Sequence, residues 1–376
     1  MIFAVGKVHG HLNLYIIRRM VTSTRSFVHK VWHSLGHYFA AISFFGGFLW
    51  DAITLGKTVQ QSDLLILSGY LLGSVLILFW LAHLSHDLIP ADNPHVWYRR
   101  APYFLLQFLF GSMLSALFVL YFKSSSHWFA LLWSLGLAGL LVGNEYLEEH
   151  YEWLPLSWSM FGLCSILLLN FLIPTLLGSV HWVWFYISTL IGVSLTHWLY
   201  ARTHDKAGHI FPVWVIAFVL AMAYRFDWIP PVPLVKERVI VGSHLVKKEN
   251  TFVLQVDKAE WWRFGLLSSN RIHLLPGESL YFVSSVFAPV GLKATLYHRW
   301  EYHDAKRGWV TASRIGFNLN GGRKEGFRGF TYLSNWRDGD WRVSVETEDG
   351  RTISTDHFRI DTMTGSNLTD RSEITI

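Results

Sequence analysis

Seven mostly apolar stretches dominate the first two thirds of the chain, at approximately 36–55, 63–84, 102–122, 127–143, 156–177, 181–200 and 210–227. A helix needs about 20 such residues to cross a bilayer core of roughly 30 Å. In hydrocarbon the backbone must satisfy its own hydrogen bonds, which favours helices for runs of this length. The pattern therefore predicts a bundle of about seven transmembrane helices. The second stretch, LLILSGYLLGSVLILFWLAHL, is the cleanest, and the first carries Asp51. Short connections predict antiparallel neighbours. Pro102 and Pro212 are expected near helix starts, where a missing N–H costs little, and Pro174 is expected to kink or end the fifth span.

Beyond residue 228 the period changes. IPPVPL (229–234) cannot be helical and predicts a stiff, extended exit. After it, apolar and polar residues alternate. Leu296, His298, Trp300 and Tyr302 fall on one face, and Trp341, Val343 and Val345 on another, with Arg342, Ser344 and Glu346 opposite. Such alternation marks half-buried strands. Asp349-Gly350 predicts a tight hairpin, and Asn320-Gly321-Gly322 predicts a second turn. About eight strands predict an all-β antiparallel sandwich, immunoglobulin-like in general architecture. The expected organisation is a cytoplasmic segment 1–35, a transmembrane bundle 36–228, a proline-rich linker 229–236, an extracytoplasmic β-sandwich 237–362 and a flexible tail 363–376.

Charge sharpens this division. Residues 1–232 hold 12 Lys/Arg and 10 Asp/Glu, whereas residues 233–376 hold 20 and 17. The second part is charged like an ordinary soluble domain and the first is not. The net charge of +5 does not call for nucleic acid, because much of the excess flanks the spans, where orientation explains it. Lys7, Arg18, Arg19, Arg25, Lys30, Arg99, Arg100, Arg202 and Lys206 lie on one predicted side, against Lys57 and Lys123 on the other. The positive-inside rule then puts the N-terminus in the cytoplasm, and seven spans put the β domain outside. Trp97, Tyr98, Trp128, Trp153, Trp182 and Trp228 near span ends fit interfacial belts. The one cysteine, Cys164, lies in an apolar run, so no disulfide within the chain is expected. The first span is expected to act as an uncleaved insertion signal.

Polar residues in membrane spans are functional candidates by default. One group gathers toward the predicted cytoplasmic face: His83, His86 and Asp87 after the second span, then Asn144, Glu145, Glu148, Glu149 and His150 after the fourth, with His197, Arg202, His204, Asp205 and His209 nearby. His83 with His86, and Glu145 with Glu149, have the spacing to share a helix face. Imidazole and carboxylate from several helices is how bundles hold zinc or di-iron. There is no HExxH or ExxH, however, and interfacial polar capping explains the same residues; no cofactor is predicted. A second group lies toward the outer face: Asp51, Lys57, Lys123, Ser124 to Ser126, His127, Arg225 and Asp227. An ion pair locking helices together is the plain reading, and a polar pocket for a lipid headgroup or coupling proton is the functional one. In the β part, Trp300, Trp309 and Trp341 have the rings to stack on sugars, but an alternating apolar face makes Trp300 and Trp341 core. Trp261 and Trp262 are adjacent, so one should face outward. Arg323, Lys324 and Arg328 in GGRKEGFRGF have the charge to meet phosphate or carboxylate, or form a solvated hairpin.

His298-Arg299-Trp300-Glu301, Gly321-Gly322-Arg323, Gly326-Phe327-Arg328-Gly329, Gly339-Asp340-Trp341-Arg342-Val343 and His357-Phe358 together make the stretch 280–360 resemble the bacterial family known as domain of unknown function 2914. Gly47-Phe48-Leu49-Trp50-Asp51, Thr54-Leu55, Gln107-Phe108, Gly111, Ser115, Asn144-Glu145 and IPPVPL resemble the form of that family with a helical first half. The resemblance implies this architecture and a bacterial envelope location, and supplies no catalytic residues.

Three functions follow as expectations. The first is a non-enzymatic inner-membrane protein whose periplasmic sandwich binds an envelope protein, glycan or lipid headgroup, with the bundle as anchor or relay. The second is a metal-dependent membrane enzyme using the His83/Glu145 group. The third is a small transporter, although no repeat of broken helices is visible. Metal content of the purified chain separates the first two. Near-stoichiometric zinc or iron lost in a His83→Ala/His86→Ala variant supports the enzyme, and a metal-free folded protein removes it.

Overall fold

The computed structural model describes residues 48, 49, 53, 60–84, 96–125, 128–147, 150, 151, 153–203, 209–248, 251–257, 270–323, 325–363 and 371–376. Six helices run through this part: α1 (Gln61–Leu84), α2 (Val96–Ser124), α3 (Trp128–Glu145), α4 (Leu154–Leu177), α5 (Trp182–Ala201) and α6 (Phe211–Arg225). They stand where about seven were expected, because the first predicted span, with Asp51, lies almost wholly outside the described residues. Four helical segments, Gln61–Ala82, Ala101–Ser124, Trp128–Glu145 and Leu154–Leu177, are long and apolar enough to cross a membrane. The α5 helix has the length, but Trp, Tyr, Ser, Thr and His side chains dilute its apolar character, and α6 has only 15 residues.

One proline expectation is corrected. Pro102 lies inside α2, which starts earlier than its apolar run, so the ring costs one intrahelical bond within a helix that continues through it. Pro174 sits in the last stretch of α4, where its carbonyl accepts from the cap residue Gly178.

The α4 helix touches α1, α2, α5 and α6 and is mostly buried. Around it the outward side chains are also apolar: Leu65, Leu72, Leu76, Phe104, Leu135 and Phe218 are all exposed. An apolar exterior wrapped on an apolar centre is compatible with membrane insertion. Exposed tryptophans mark both ends, Trp128, Trp182 and Trp228 at one and Trp153, Trp198 and Trp214 at the other.

A β-rich region follows, with eleven strands among the described residues where about eight were expected. They are β1 (Val235–Gly242), β2 (His244–Lys248), β3 (Thr251–Asp257), β4 (Asn270–Leu274), β5 (Leu280–Phe287), β6 (Lys293–Asp304), β7 (Gly308–Asn320), β8 (Phe327–Leu333), β9 (Gly339–Thr347), β10 (Thr352–Thr362) and β11 (Arg371–Thr375). They form three sheets, ordered β1-β5-β8, β4-β10-β9-β6-β7 and β11-β3-β2. All pairs are antiparallel except β4 with β10. Residues 371–375, expected to be a loose tail, form β11, paired with β3.

The main core lies between the first two sheets. Phe282, Val286, Leu296, Trp300, Trp341, Val343, Val345, Phe358 and Ile360 meet there, all inward positions of the alternating pattern. The first sheet is covered on its other side too. Val283 packs with Leu254 and Ile376 of the third sheet's side, so β5 reads as a nearly continuous buried run. The Asp349-Gly350 turn joins β9 to β10, with Gly350 at a φ of 81°.

Helices and strands from Leu55 onward form one compact unit. IPPVPL, expected as an extended exit, is buried and turned: the amide of Val232 donates to the Pro230 carbonyl at 2.8 Å. Proline removes donors but leaves rings that pack, so this segment forms part of the junction. On the other side, Lys293 donates its amide to the Gly178 carbonyl at 2.9 Å, tying the α4–α5 turn to the start of β6.

Gly329 shows how tightly the two sheets meet, because a Cβ there would lie 2.4 Å from the Phe317 ring. Gly329→Ala is expected to cost about 1–3 kcal/mol through overpacking, read as a lower unfolding midpoint of the purified chain; an unchanged midpoint would mean the facing ring has room.

Candidate functional site

The residues expected on the cytoplasmic side do not assemble a metal centre in the described part. His86, Asp87 and Glu149 lie outside it, as do the side chain of His83 and all of Trp261, Trp262 and Asp51. Glu145 and His150 are exposed, and no three His, Cys, Asp or Glu among the described residues are grouped to hold a metal ion. Two sequence motifs meet here instead. Gln107 Nε2 donates to the carbonyls of Asn144 and Glu145 at 3.1 Å each, Asn144 Nδ2 donates back to the Gln107 carbonyl at 3.1 Å, and the Tyr151 hydroxyl donates to Asn144 Oδ1. Gly111 leaves the room, since a Cβ there would stand 3.0 Å from Asn144 Nδ2. Gln107, Gly111 and Asn144 thus lock α2 to α3 through hydrogen-bonded buried polar groups, a structural task.

The second group divides. Lys123, in the last turn of α2, has the carboxylates of Asp63 and Glu237 as its charged neighbours. Ser125 bonds to the Tyr121 and Ala130 carbonyls and to Ser134, joining α2 to α3. Arg225 and Asp227, by contrast, line an open cleft of about 430 Å³ with Trp182, Tyr186, Asp349, Gly350 and Arg351. Here the helix ends meet the β9–β10 turn. The Arg351 guanidinium lies 3.2 Å from Asp227 Oδ1 and 3.5 Å from Asp349 Oδ2, and 3.4 Å over the Tyr224 ring. Tyr224 in turn stacks on Phe185 at 3.7 Å. Asp227 reaches this position with a φ of 60°, rare for a residue other than glycine. Sequence reasoning missed Arg351 and Tyr224. The signal available was an arginine directly after a tight turn, facing an aspartate just past the last helix.

His298 and Trp300 point inward. Ser284 Oγ lies 2.7 Å from His298 Nε2, and Thr331 Oγ1 lies 3.0 Å from His298 Nδ1 and accepts from Trp300 Nε1 at 3.0 Å. The Phe282 and Phe317 rings flank the imidazole at 4.6 Å each. A serine beside a histidine resembles nucleophile and base, but His298 is fully buried and no substrate reaches it. Burial pushes its pKa down to about 3, so the imidazole stays neutral as a core cross-link.

The alternate residues of the same strands point outward and make the second candidate site. Arg342 Nε lies 2.6 Å from Glu301 Oε2, and Arg299 lies 2.9 Å from Glu346 and 3.5 Å from Glu301. Arg314 lies 3.7 Å from Glu346 and stacks on Tyr297 at 3.8 Å. The carboxylates lie beneath and the guanidiniums spread over them, so Glu301 and Glu346 are buried on the polar face. Burial raises the Glu346 pKa, with Arg299 and Arg314 opposing the rise. Beside this network Trp309 stands half-exposed between His303 at 5.2 Å and His357 at 5.6 Å, with the Arg342 guanidinium 4.6 Å over its ring. Trp300 and Trp341 are core, as expected, which leaves Trp309 as the outward ring of the three. Arg323 is exposed and lies 5.2 Å over the Phe327 ring, and Arg328 pairs with Glu325, so the glycine-rich segment serves its own turn.

Residues 293–360 match the model of a family described as proteins of unknown function (DUF2914). The DUF2914 segment therefore runs from β6 through β10 and contains both the His298 cross-link and the Arg299–Glu301–Arg342–Glu346 face. No curated protein matches the sequence. Among solved structures, a β-glucosidase from Listeria innocua in complex with glucose is similar at 13% identity over 29% of this chain and 16% of its own, with a TM-score of 0.19. The alkylpurine DNA glycosylase AlkC of Pseudomonas fluorescens is similar at 12% identity over 76% of this chain and 87% of its own, with a TM-score of 0.18. The chain thus spans under a fifth of the glucosidase, and likenesses this slight carry no argument about fold or activity.

The buried imidazole predicts a pH dependence. An unfolded chain protonates His298 near pH 6.5, whereas the folded one resists until about pH 3. Stability is therefore lost as pH falls through that window, by up to about 1.4 kcal/mol per pH unit from this group. Denaturant unfolding of the wild type and His298→Gln at pH 7 and pH 4.5 is expected to show a smaller loss in the variant; equal losses would mean the imidazole is not held neutral.

Proposed function

We propose that this protein is a non-enzymatic receptor of the bacterial inner membrane, whose helices anchor a periplasmic β-sandwich that binds an acidic envelope glycan. The observation that carries the reading is Trp309 on the outer face of the five-stranded sheet. A half-exposed indole flanked by two imidazoles and a guanidinium offers an apolar platform for a sugar ring and donors for its hydroxyl and carboxylate groups. Glu301 and Glu346 fix the arginines from beneath, so the donors are held in place before a ligand arrives. Apolar helix exteriors and exposed tryptophans at both helix ends support the anchoring role. The surplus of Lys and Arg in alternate loops supports a cytoplasmic N-terminus. The core shared by two sheets supports the sandwich reading, while the parallel β4–β10 pair and the third sheet depart from an immunoglobulin arrangement.

Titration of the detergent-purified full chain with carboxylated envelope glycans tests this. Binding is expected to weaken by about tenfold or more in Trp309→Ala, as loss of about 1.4 kcal/mol or more of stacking would give. Binding unchanged in Trp309→Ala, or no binding to any such glycan, overturns the proposal.

A further inference from the structure

On the outward face of the five-stranded sheet the arginines come with carboxylates, save one. Arg299 and Arg314 reach Glu346, Arg342 reaches Glu301, and Arg359 lies 3.6 Å from Asp340 and 3.2 Å from Asp361. Arg271, on β4, is exposed and makes no ion pair with any described residue. The register puts it on the same face. Arg271 stands directly opposite Arg359, while the adjacent Ile272 pairs with Ile360 in the core. Like charges side by side on neighbouring strands destabilise a sheet, and both aspartates are engaged with Arg359. Arg271 is thus a guanidinium whose planar fork is open to an outside carboxylate.

Its distance from Trp309 matters as much as its charge. β7 and β10 are separated in the sheet by β6 and β9, yet the Trp309 ring lies 5.6 Å from His357 on β10, so the indole leans across the strands between. From His357, Arg359 is the next outward residue along β10, and Arg271 stands one strand further out. Two residues along and one strand across make about 8 Å from His357 to Arg271 at the backbone. His357, Arg359 and Arg271 are all exposed, so the surface from the indole to the sheet edge is open to solvent. An extended sugar chain advances by roughly one strand spacing per unit, so a chain with one ring on Trp309 brings a unit about two or three places on to Arg271.

We propose that Arg271 is a second subsite of this face, taking a carboxylate of an acidic oligosaccharide whose nearer ring stacks on Trp309. The ligand is then a chain of at least about three sugar units with acid groups along its length, running from the indole to the β4 edge of the sheet. A single uronic acid fills only the Trp309 end. This rests on the glycan reading of the Trp309 face and extends it to the length and charge spacing of the ligand.

Titration of the detergent-purified full chain with oligogalacturonates, from monomer to tetramer, tests it. The wild type is expected to bind the tetramer about tenfold more tightly than the monomer, as one further charge-assisted contact would give. Arg271→Gln is expected to lose that gain with its unfolding temperature unchanged, because the side chain is exposed on an edge strand. Trp309→Ala is expected to weaken binding at every length. Lys247→Gln, which removes an exposed charge from β2 in the third sheet, is expected to leave tetramer binding as it is. Equal affinity at all lengths, in a protein whose binding still needs Trp309, overturns this proposal alone. No binding at any length overturns the glycan reading together with it. A length dependence kept in Arg271→Gln, an equal loss in Lys247→Gln, or a methyl-esterified tetramer bound as tightly as the acid also overturns the proposal.

Discussion

Arg351 joins the two kinds of structure in this chain. It leaves the β9–β10 turn, lies over Tyr224 near the end of α6, and pairs with Asp227 just beyond that helix. Few side chains can do all of this. A guanidinium is planar, stacks on an aromatic ring and still presents donors at its edge, whereas an ammonium is a point charge. Tyr224 itself is held by the Phe185 stack, so the contact reaches α5 as well. The buried IPPVPL turn and the bond from Lys293 to Gly178 close the junction on other sides. Strands and helices consequently form one unit.

The five-stranded sheet shows how one stretch of sequence serves two ends. In His298-Arg299-Trp300-Glu301, the first and third residues enter the core, where His298 and Trp300 share Thr331 as a partner. The second and fourth point outward, where Arg299 and Glu301 meet Arg342 and Glu346. The pleat forces this division, since successive side chains leave opposite faces. Both halves of the motif therefore belong to the DUF2914 segment for different reasons, packing on one side and a preorganised polar surface on the other.

Much of this was legible in the residues. Period-two alternation put Leu296, His298, Trp300 and Tyr302 on one face and Trp341, Val343 and Val345 on another; all are buried except Tyr302, which packs half-buried against the same core. Apolar runs located α1 to α6 within a few residues, because length and hydropathy act locally. What failed depended on contacts between distant segments. Pro102 sits within α2 because the helix starts before the apolar run, and residues 371–375 became a strand because β3 offered an edge. Three prolines suggested an extended exit, yet packing turned and buried them. The candidate sites were read by composition, which cannot show convergence. Lys123 and Arg225 looked like one group, yet Lys123 has Asp63 and Glu237 as its charged neighbours, whereas Arg225 and Asp227 line a cleft with the sequence-distant Arg351. Trp309 could be separated from Trp300 and Trp341 only once the strand register was known.

The dependence of the junction on Arg351 is open to direct measurement by hydrogen–deuterium exchange of the full chain, wild type against Arg351→Ala. If Arg351 ties the parts together, amides around 222–228 and around 345–352 lose protection together in the variant, while the β5 and β6 amides of the main core keep theirs. Protection unchanged at both places, or lost only in the β9–β10 turn, would contradict a junction held by this side chain.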